Sequence, residues 1–175
     1  EAVCRMVENL IRKKVLYPFR LLGVYFLVAI DGSGVLTFRD RHCEHCLTRK
    51  LSNGETQYYH PVLEAKLVTS NGFAFSLMSE FVENTDPGAN KQDCELQAFD
   101  RLAKRLKARF PRLPILCAFG WLIRWRPELC EDNDWKYLIV LKEDDLVNVQ
   151  RSPFYPACLK TAGKNAWGRI DIIAI

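Results

Sequence analysis

A continuous apolar run from Tyr25 to Ile30 stands out in the pattern of hydrophobic and polar positions, and it ends in Asp31 followed by Gly32-Ser33-Gly34. A run of this length, rich in Val, Ile and aromatic residues, predicts a strand that is buried on both faces. An acid at the end of such a strand is held rigidly, and the glycines allow a backbone or a phosphate to approach closely. Asp31 is therefore a candidate catalytic residue, although a strand that simply stops at an Asx turn gives the same pattern.

The positions after this run predict further strands. Residues 34–38 are expected to form a second strand, hairpinned to the first through the Gly-Ser-Gly turn. A polar loop rich in Cys and His covers residues 39–55. Two more strands are predicted at 56–69 and 73–81, and Ser70-Asn71-Gly72 between them is a typical hairpin turn.

Helical spacing of apolar residues predicts a helix over residues 2–16 and a long helix over residues 91–110. Beyond the long helix the pattern alternates between strand and helix, at 115–118, 127–132, 135–141 and 144–150. Three antiparallel strands followed by alternating helix and strand predict an α/β protein with a mixed sheet flanked by helices. This order of elements resembles the ribonuclease H-like fold.

Composition places the chain among globular proteins. With 175 residues, 49% hydrophobic and 26% charged, it is neither disordered nor fibrous, and its length favours one main domain. The net charge of +4 is compatible with a nucleic-acid partner. No stretch resembles a signal peptide or a membrane span, so the seven cysteines predict reduced thiols in a cytoplasmic protein with no membrane partner. A chain that begins at Glu1 without Met is expected to be a fragment or a trimmed product.

The polar loop contains a candidate zinc site. Cys43 and Cys46 are separated by two residues, His42 and His45 lie beside them, and His60 follows later. These side chains could supply four soft ligands for Zn²⁺. The alternative is a polar loop whose cysteines are small buried side chains.

Several short strings, in this order, resemble the catalytic core of bacterial insertion-sequence transposases of the DDE type. The strings are Gly23-Val24-Tyr25 leading to Ala29-Ile30-Asp31-Gly32-Ser33-Gly34, Cys43-Glu44-His45-Cys46-Leu47-Thr48, Tyr58-Tyr59-His60-Pro61-Val62-Leu63, Ser79-Glu80-Phe81-Val82 and Lys91-Gln92-Asp93-Cys94-Glu95. The resemblance extends from about residue 16 to residue 145. It implies an N-terminal helix and linker at 1–20, an incomplete ribonuclease H-like core at 21–150, and an unrelated tail at 151–175.

The resemblance implies DNA strand cleavage and transfer by three carboxylates that hold two divalent metals. Two Mg²⁺ or Mn²⁺ ions clamp the attacking and leaving oxygens of a phosphodiester, and hard cations of this kind prefer carboxylate ligands. Asp31 matches the first acid. Asp93 and Glu95, at the start of the long helix, are either auxiliary metal ligands or acids that stabilise the helix dipole. The implied partners are transposon ends, target DNA and further copies of the transposase.

The sequence departs from the family where the second acid is expected, after the strand at 115–118. The family has Asp-Gly-Leu and an aromatic there, whereas this chain has Phe119-Gly120-Trp121-Leu122-Ile123-Arg124-Trp125-Arg126 and no carboxylate between Phe110 and Glu128. If the codons are TTC GGA TGG CTT ATT CGC TGG CGG, reading them one base later gives Asp-Gly-Leu-Phe-Ala-Gly-Gly. We therefore expect that Phe119 to about Pro127 is translated out of frame; an ordinary amphipathic segment is the alternative. The third acid has no match in the chain.

These observations predict a fragment of a DDE transposase core that is inactive because it lacks the second carboxylate. A second hypothesis is a non-catalytic remnant that binds DNA or a partner and regulates an intact transposase. A third is a decayed product without a selected function.

Overall fold

The computed structural model describes residues 1–40, 42–84, 92–119, 128–141, 159–165 and 168–174. This part of the chain is a mixed α/β structure with one open, mostly antiparallel sheet and a few helices. The helices are α1 (Ala2–Arg12), a short 3₁₀ helix (Tyr17–Phe19), α2 (Glu95–Arg109) and α3 (Glu128–Glu131). The strands are β1 (Phe26–Phe38), β2 (Leu47–Lys50), β3 (Thr56–Val68), β4 (Ala74–Phe81), β5 (Ile115–Phe119), β6 (Lys136–Leu141), β7 (Leu159–Asn165) and β8 (Gly168–Ala174).

The strand order among the described residues is β2-β3-β1-β5-β6-β8-β7, and β4 also pairs with β3. β1 is antiparallel to β3, and β3 is antiparallel to β2 and β4. On its other side β1 is parallel to β5, which in turn is parallel to β6. The pairing therefore changes from antiparallel to parallel at β1, and it is antiparallel again between β6 and β8.

The prediction that residues 34–38 form a separate strand is wrong. β1 runs without a break through Gly32-Ser33-Gly34 to Phe38, and it pairs with β3 along this length, with a register irregularity between Gly34 and Leu36. Positive φ angles would be needed for a tight hairpin turn. Among the described glycines these occur at Gly23, Gly54 and Gly72, and not within β1.

The region 39–55, predicted as loop, contains the short strand β2. It pairs with the first residues of β3 across a turn at Ser52-Asn53-Gly54, where Gly54 has a φ of +85°. The predicted turn at Ser70-Asn71-Gly72 is confirmed, since it joins β3 to β4 and Gly72 has a φ of +90°. The same Ser-Asn-Gly sequence thus makes both turns, because the glycine supplies the left-handed conformation.

The predicted N-terminal helix is confirmed but ends earlier than its apolar pattern. Lys14 has a φ of +61°, its N–H donates to the carbonyl of Ile11, and the N–H of Val15 donates to the carbonyl of Leu10. These two bonds form a Schellman motif, which closes the helix after Arg12.

One hydrophobic core lies under α1 and α2. α2 contributes Ala98, Phe99, Leu102, Ala103 and Leu106, each at most 2% exposed. They share this core with inward residues of β1, β3 and β5, namely Val28, Ile30, Leu63, Ala65, Leu67, Ile115 and Cys117. The ring of Phe99 also meets Phe119 edge to face, with 5.3 Å between centroids. This packing fixes the start of α2 against the middle of β1.

The predicted strands at 115–118 and 135–141 and the helix at 127–132 are confirmed as β5, β6 and α3, to within one residue at each end. The last predicted helix, at 144–150, lies outside the described residues. In the predicted tail, β7 and β8 form a hairpin-like pair, and β8 extends the sheet beyond β6. Among the described helices, none has the length and apolar character needed to cross a membrane.

Candidate functional site

Asp31 follows the described part of the parallel pairing between β1 and β5. Among the described residues the last pair is Ile30 and Phe119, and Asp31 is the next residue of β1. β1 itself continues to Phe38, so the acid sits within a long strand rather than at its end, in contrast to the prediction. Asp31 is exposed, and its Oδ1 accepts a hydrogen bond of 2.9 Å from the N–H of Gly32. β1 lies beside β5, which contains the predicted strand at 115–118.

Glu95, the first residue of α2, lies against the backbone of β1 next to Asp31. A Cβ atom added to Gly32 would overlap Oε1 of Glu95 and lie 2.7 Å from its Cδ. Burial, and then the charge of Asp31, raise the pKa of Glu95 above its usual range. The two carboxyl groups are therefore close enough for their charges to interact. Among the described residues neither has a salt-bridge partner.

This arrangement explains the glycine after Asp31. The backbone at Gly32 is extended, so the requirement is space for the Glu95 carboxyl and not an unusual φ angle. A side chain at this position would move Glu95 away from Asp31, although the flexible end of Glu95 could yield.

Asp93 is held apart from this pair. Its Oδ2 lies 2.7 Å from a guanidinium nitrogen of Arg101, and the Asp93 side chain is 7% exposed. It also accepts hydrogen bonds from the backbone N–H groups of Glu83 (3.1 Å) and Cys94 (2.9 Å). Of the two candidate auxiliary acids, the structure brings Glu95 to Asp31 and binds Asp93 into the protein scaffold.

Glu80 completes this scaffold. Its side chain is 14% exposed and forms salt bridges with Arg101 at 2.7 Å and with Arg105. Arg101 donates hydrogen bonds to Asp93 and to Glu80, and these bonds raise the pKa of its guanidinium above its ordinary value. These charges join the end of β4 to α2.

Glu64 is an acid near Asp31 that the sequence reasoning missed. It pairs directly with Asp31 across the β1–β3 ladder, and opposite residues of such a pair have Cβ atoms roughly 4.5–5.5 Å apart. A hydrogen bond from Ser76, and then Lys66, lower the pKa of Glu64 despite partial burial. Lys66 also forms an ion pair with it at 3.0 Å. Only the register of the β1–β3 ladder places Glu64 opposite Asp31, and the sequence pattern does not give that register.

The position expected for the second acid follows β5. β1 and β5 are parallel and Ile30 pairs with Phe119, so the last described residue of β5 lies opposite the residue that precedes Asp31. Phe119 itself is buried and fits the strand well. The remainder of the segment predicted to be out of frame, residues 120–127, lies outside the described residues.

Three of the predicted zinc ligands form a compact triangle. Nε2 of His60 lies 3.2 Å from Sγ of Cys43 and 3.2 Å from Sγ of Cys46, and the two sulfurs are 3.7 Å apart. Among the described residues, this is the one group of three or more His, Cys, Asp or Glu side chains whose ligand atoms converge in this way. Burial raises the pKa of the Cys46 thiol.

The other two histidines of the predicted set have different contacts. The ring of His42 stacks on Tyr58 with centroids 3.8 Å apart, and Nδ1 of His45 donates to the carbonyl of Asn84 at 2.9 Å. Cys43, Cys46 and His60 thus form a set of three, not the set of four that sequence spacing allowed.

Arg101→Ala is expected to lower the free energy of unfolding by about 1–3 kcal/mol, because it leaves the mostly buried Asp93 without its cation and Glu80 with Arg105 alone. Urea unfolding measures this change, and Arg112→Ala at an exposed position is the matched control. Equal effects of the two substitutions would show that the Asp93–Arg101–Glu80 network does not stabilise the fold.

Glu95→Gln is expected to raise Tm at pH 7. Because the pKa of Glu95 is raised in the folded protein, the folded state binds this proton more tightly than the unfolded chain. Stability then falls as pH rises between the two pKa values, and the substitution removes that loss. At a pH of about 4 or below both states are largely protonated, so the gain should disappear.

Thermal melts of the two proteins across this pH range test the expectation. Glu55→Gln, at an exposed position after the Asn53-Gly54 turn, is the control. A gain for Glu95→Gln that does not change with pH would contradict the assigned proximity and burial of the carboxyl group.

Comparison of the chain with protein-family models and with curated proteins found no match in either case.

Proposed function

We propose that this chain is part of the catalytic core of a DDE-type transposase, with a ribonuclease H-like fold, and that it lacks the second catalytic carboxylate. The observation that carries the proposal is the placement of Asp31 beside the end of β5. In the family that the chain resembles, the first acid is expected at the position of Asp31 and the second acid just after the strand that corresponds to β5. In the present chain only Asp31 supplies a carboxylate there.

The topology supports this proposal. A long central β1 pairs antiparallel with β3, β3 pairs with β4, and the chain then returns through α2 to place β5 parallel to β1. β6 continues the parallel side of the sheet. Three long antiparallel strands, followed by helix and parallel strand in alternation, are the arrangement expected of the ribonuclease H-like fold.

The chemistry of the donor atoms also supports it. Asp31 and Glu95 are neighbouring carboxyl groups without a salt-bridge partner among the described residues, and such oxygens suit Mg²⁺ or Mn²⁺. These residues would hold one divalent ion, which would stabilise negative charge on an oxygen of a phosphodiester. Asp93 does not contribute, because Arg101 already neutralises it.

The missing acid accounts for the predicted loss of activity. Two carboxylates repel each other when they are close, and this repulsion favours binding of a dication. The chain has arginines and tryptophans at 121–126 instead, and arginines near a metal site disfavour a cation. DNA, either as transposon ends or as target, remains the substrate class under this proposal.

The encoding nucleotide sequence gives the first test. We expect that the codons of residues 119–127, read one base later, encode Asp-Gly-Leu followed by an aromatic residue. Codons that encode no acid in either shifted frame would remove the basis for a displaced active-site segment.

Metal-dependent stability gives the second test. The version with residues 119–127 in the restored frame should gain about 5–10 °C in Tm when Mg²⁺ or Mn²⁺ is present at about 100 times its Kd. The present chain should respond little, because Asp31 and Glu95 alone bind a dication weakly. Thermal melts of both versions across a metal titration provide the measurement.

Two substitutions in the restored version make this test specific. Asp31→Asn should abolish the metal response, whereas Asp40→Asn, at an exposed position, should leave it intact. Identical responses of the present and restored chains would contradict the proposal that the segment carries an active-site acid.

A further inference from the structure

We propose that Cys43, Cys46 and His60 bind one Zn²⁺ ion, with water as the fourth ligand, and that the ion fastens the loop between β1 and β2 onto β3. The inference is independent of the transposase proposal, because it depends on different residues and on a different class of metal ligand.

The distances within the triangle suit zinc. Zinc bonds of about 2.3 Å to sulfur and about 2.1 Å to nitrogen, at tetrahedral angles, place two sulfurs about 3.8 Å apart and sulfur and nitrogen about 3.6 Å apart. The corresponding distances are 3.7 Å between Cys43 and Cys46, and 3.2 Å from each sulfur to His60 Nε2. A single point about 1 Å outside the plane of the three atoms lies at the ideal bond length from all of them.

The local backbone is built to present these atoms together. Cys46 donates its N–H to the carbonyl of Cys43 at 3.3 Å, which closes a tight turn and turns both thiols the same way. His60 comes from β3, where it pairs with Leu36 of β1. A metal here would therefore join two segments of the chain that are separated by the whole of β2 and its turn.

The donor atoms and their exposure decide which ion is favoured and which ligand completes the site. Two thiolates and an imidazole favour Zn²⁺ over Mg²⁺ or Ca²⁺, which prefer oxygen. Cys46 is 5% exposed and His60 is half-buried, whereas Cys43 is exposed, so the site opens to solvent on one side. His42 is stacked on Tyr58 and His45 is bound to Asn84, which leaves the fourth position to water.

The site is also connected to the start of α2. The side-chain amide of Asn84 donates to the carbonyl of Cys46 at 3.1 Å, and its Oδ1 accepts the N–H of Asp93 at 3.1 Å. Gln92 adds a second link, since its side chain bonds to the backbone N–H and C=O of Thr48 in β2. A zinc ion would thus stabilise the loop and also the segment that leads into α2.

The direct test is the metal content of the full chain, purified under reducing conditions and dialysed against metal-free buffer. We expect one Zn²⁺ per chain by elemental mass spectrometry. Replacement with Co²⁺ should give the visible absorption of a tetrahedral site with sulfur ligands. Hydrogen exchange on removal of zinc should increase in residues 42–60 and 83–93, and not in β5.

Variants assign the ligands. Loss of a hydrogen-bond partner of a metal ligand typically costs about 10–100-fold in affinity, so loss of a ligand itself should cost at least about 100-fold. We expect this loss in Cys43→Ser, Cys46→Ser and His60→Ala, measured by competition with a chromophoric chelator. Cys94→Ser, at an exposed thiol elsewhere, and His42→Phe, which keeps an aromatic ring against Tyr58, should retain full affinity.

Several outcomes would overturn the inference. A chain that holds neither Zn²⁺ nor Co²⁺ stoichiometrically would do so, as would full affinity in Cys43→Ser and His60→Ala. If the chain purified without added metal ions contains a Cys43–Cys46 disulfide, the two cysteines form a redox pair instead. Loss of metal in His42→Phe would refute water as the fourth ligand. Cys46→Ser removes a buried side chain and can fail to fold. In that case the Co²⁺ spectrum of the unmodified chain and the metal affinity of Cys43→Ser, at an exposed position, still test whether the triangle binds metal.

Discussion

The double pairing of β1 is the constraint on which the rest of the structure depends. A strand buried in a sheet must satisfy its backbone groups on both edges, and β1 does so against β3 on one side and β5 on the other. β4 is antiparallel to β3 and therefore runs in the same direction as β1 and β5, so a crossover is needed between β4 and β5, and α2 provides it. The apolar face of α2 then covers β1, and its first residue is fixed over Gly32.

The charges around the start of α2 are divided into two groups by this packing. Arg101 and Arg105 neutralise Asp93 and Glu80, which joins α2 to β4. Asp31 and Glu95 have no such cation among the described residues, and burial makes the proximity of their charges unfavourable. An unneutralised pair of acids lowers stability, so it is explained better by a ligand that carries positive charge than by the needs of the fold. The same reasoning separates Glu64 from the pair, because Lys66 and Ser76 already stabilise its charge.

The sequence predicted the fold class and most elements because their apolar periods are strong, as in β3 and α2. Prediction from the sequence failed where one residue type can serve two structural purposes, as glycine does when it either forms a turn or leaves space for a neighbouring side chain. Gly32 and Gly34 were interpreted as turn residues, but space for Glu95 explains Gly32 and no left-handed φ occurs in β1. It also left Asp93 and Glu95 equivalent, because only the packed position of α2 decides which acid faces β1. The sequence did name Cys43, Cys46 and His60 as zinc ligands, and the structure brings these three side chains together.

The two candidate metal sites differ in hardness, and they are joined by one short segment of the chain. Oxygen ligands at Asp31 and Glu95 suit Mg²⁺ or Mn²⁺, whereas the sulfur and nitrogen ligands of the Cys/His triangle suit Zn²⁺. Between them, Asn84 binds the cysteine loop and Asp93, and Asp93 binds Arg101 of α2. A Zn²⁺ ion in the Cys/His triangle would therefore order the helix start that positions Glu95, without competing for the oxygen ligands of Asp31 and Glu95. The triangle consists of Cys43, Cys46 and His60, so its metal affinity does not depend on the acid that the transposase proposal expects after β5.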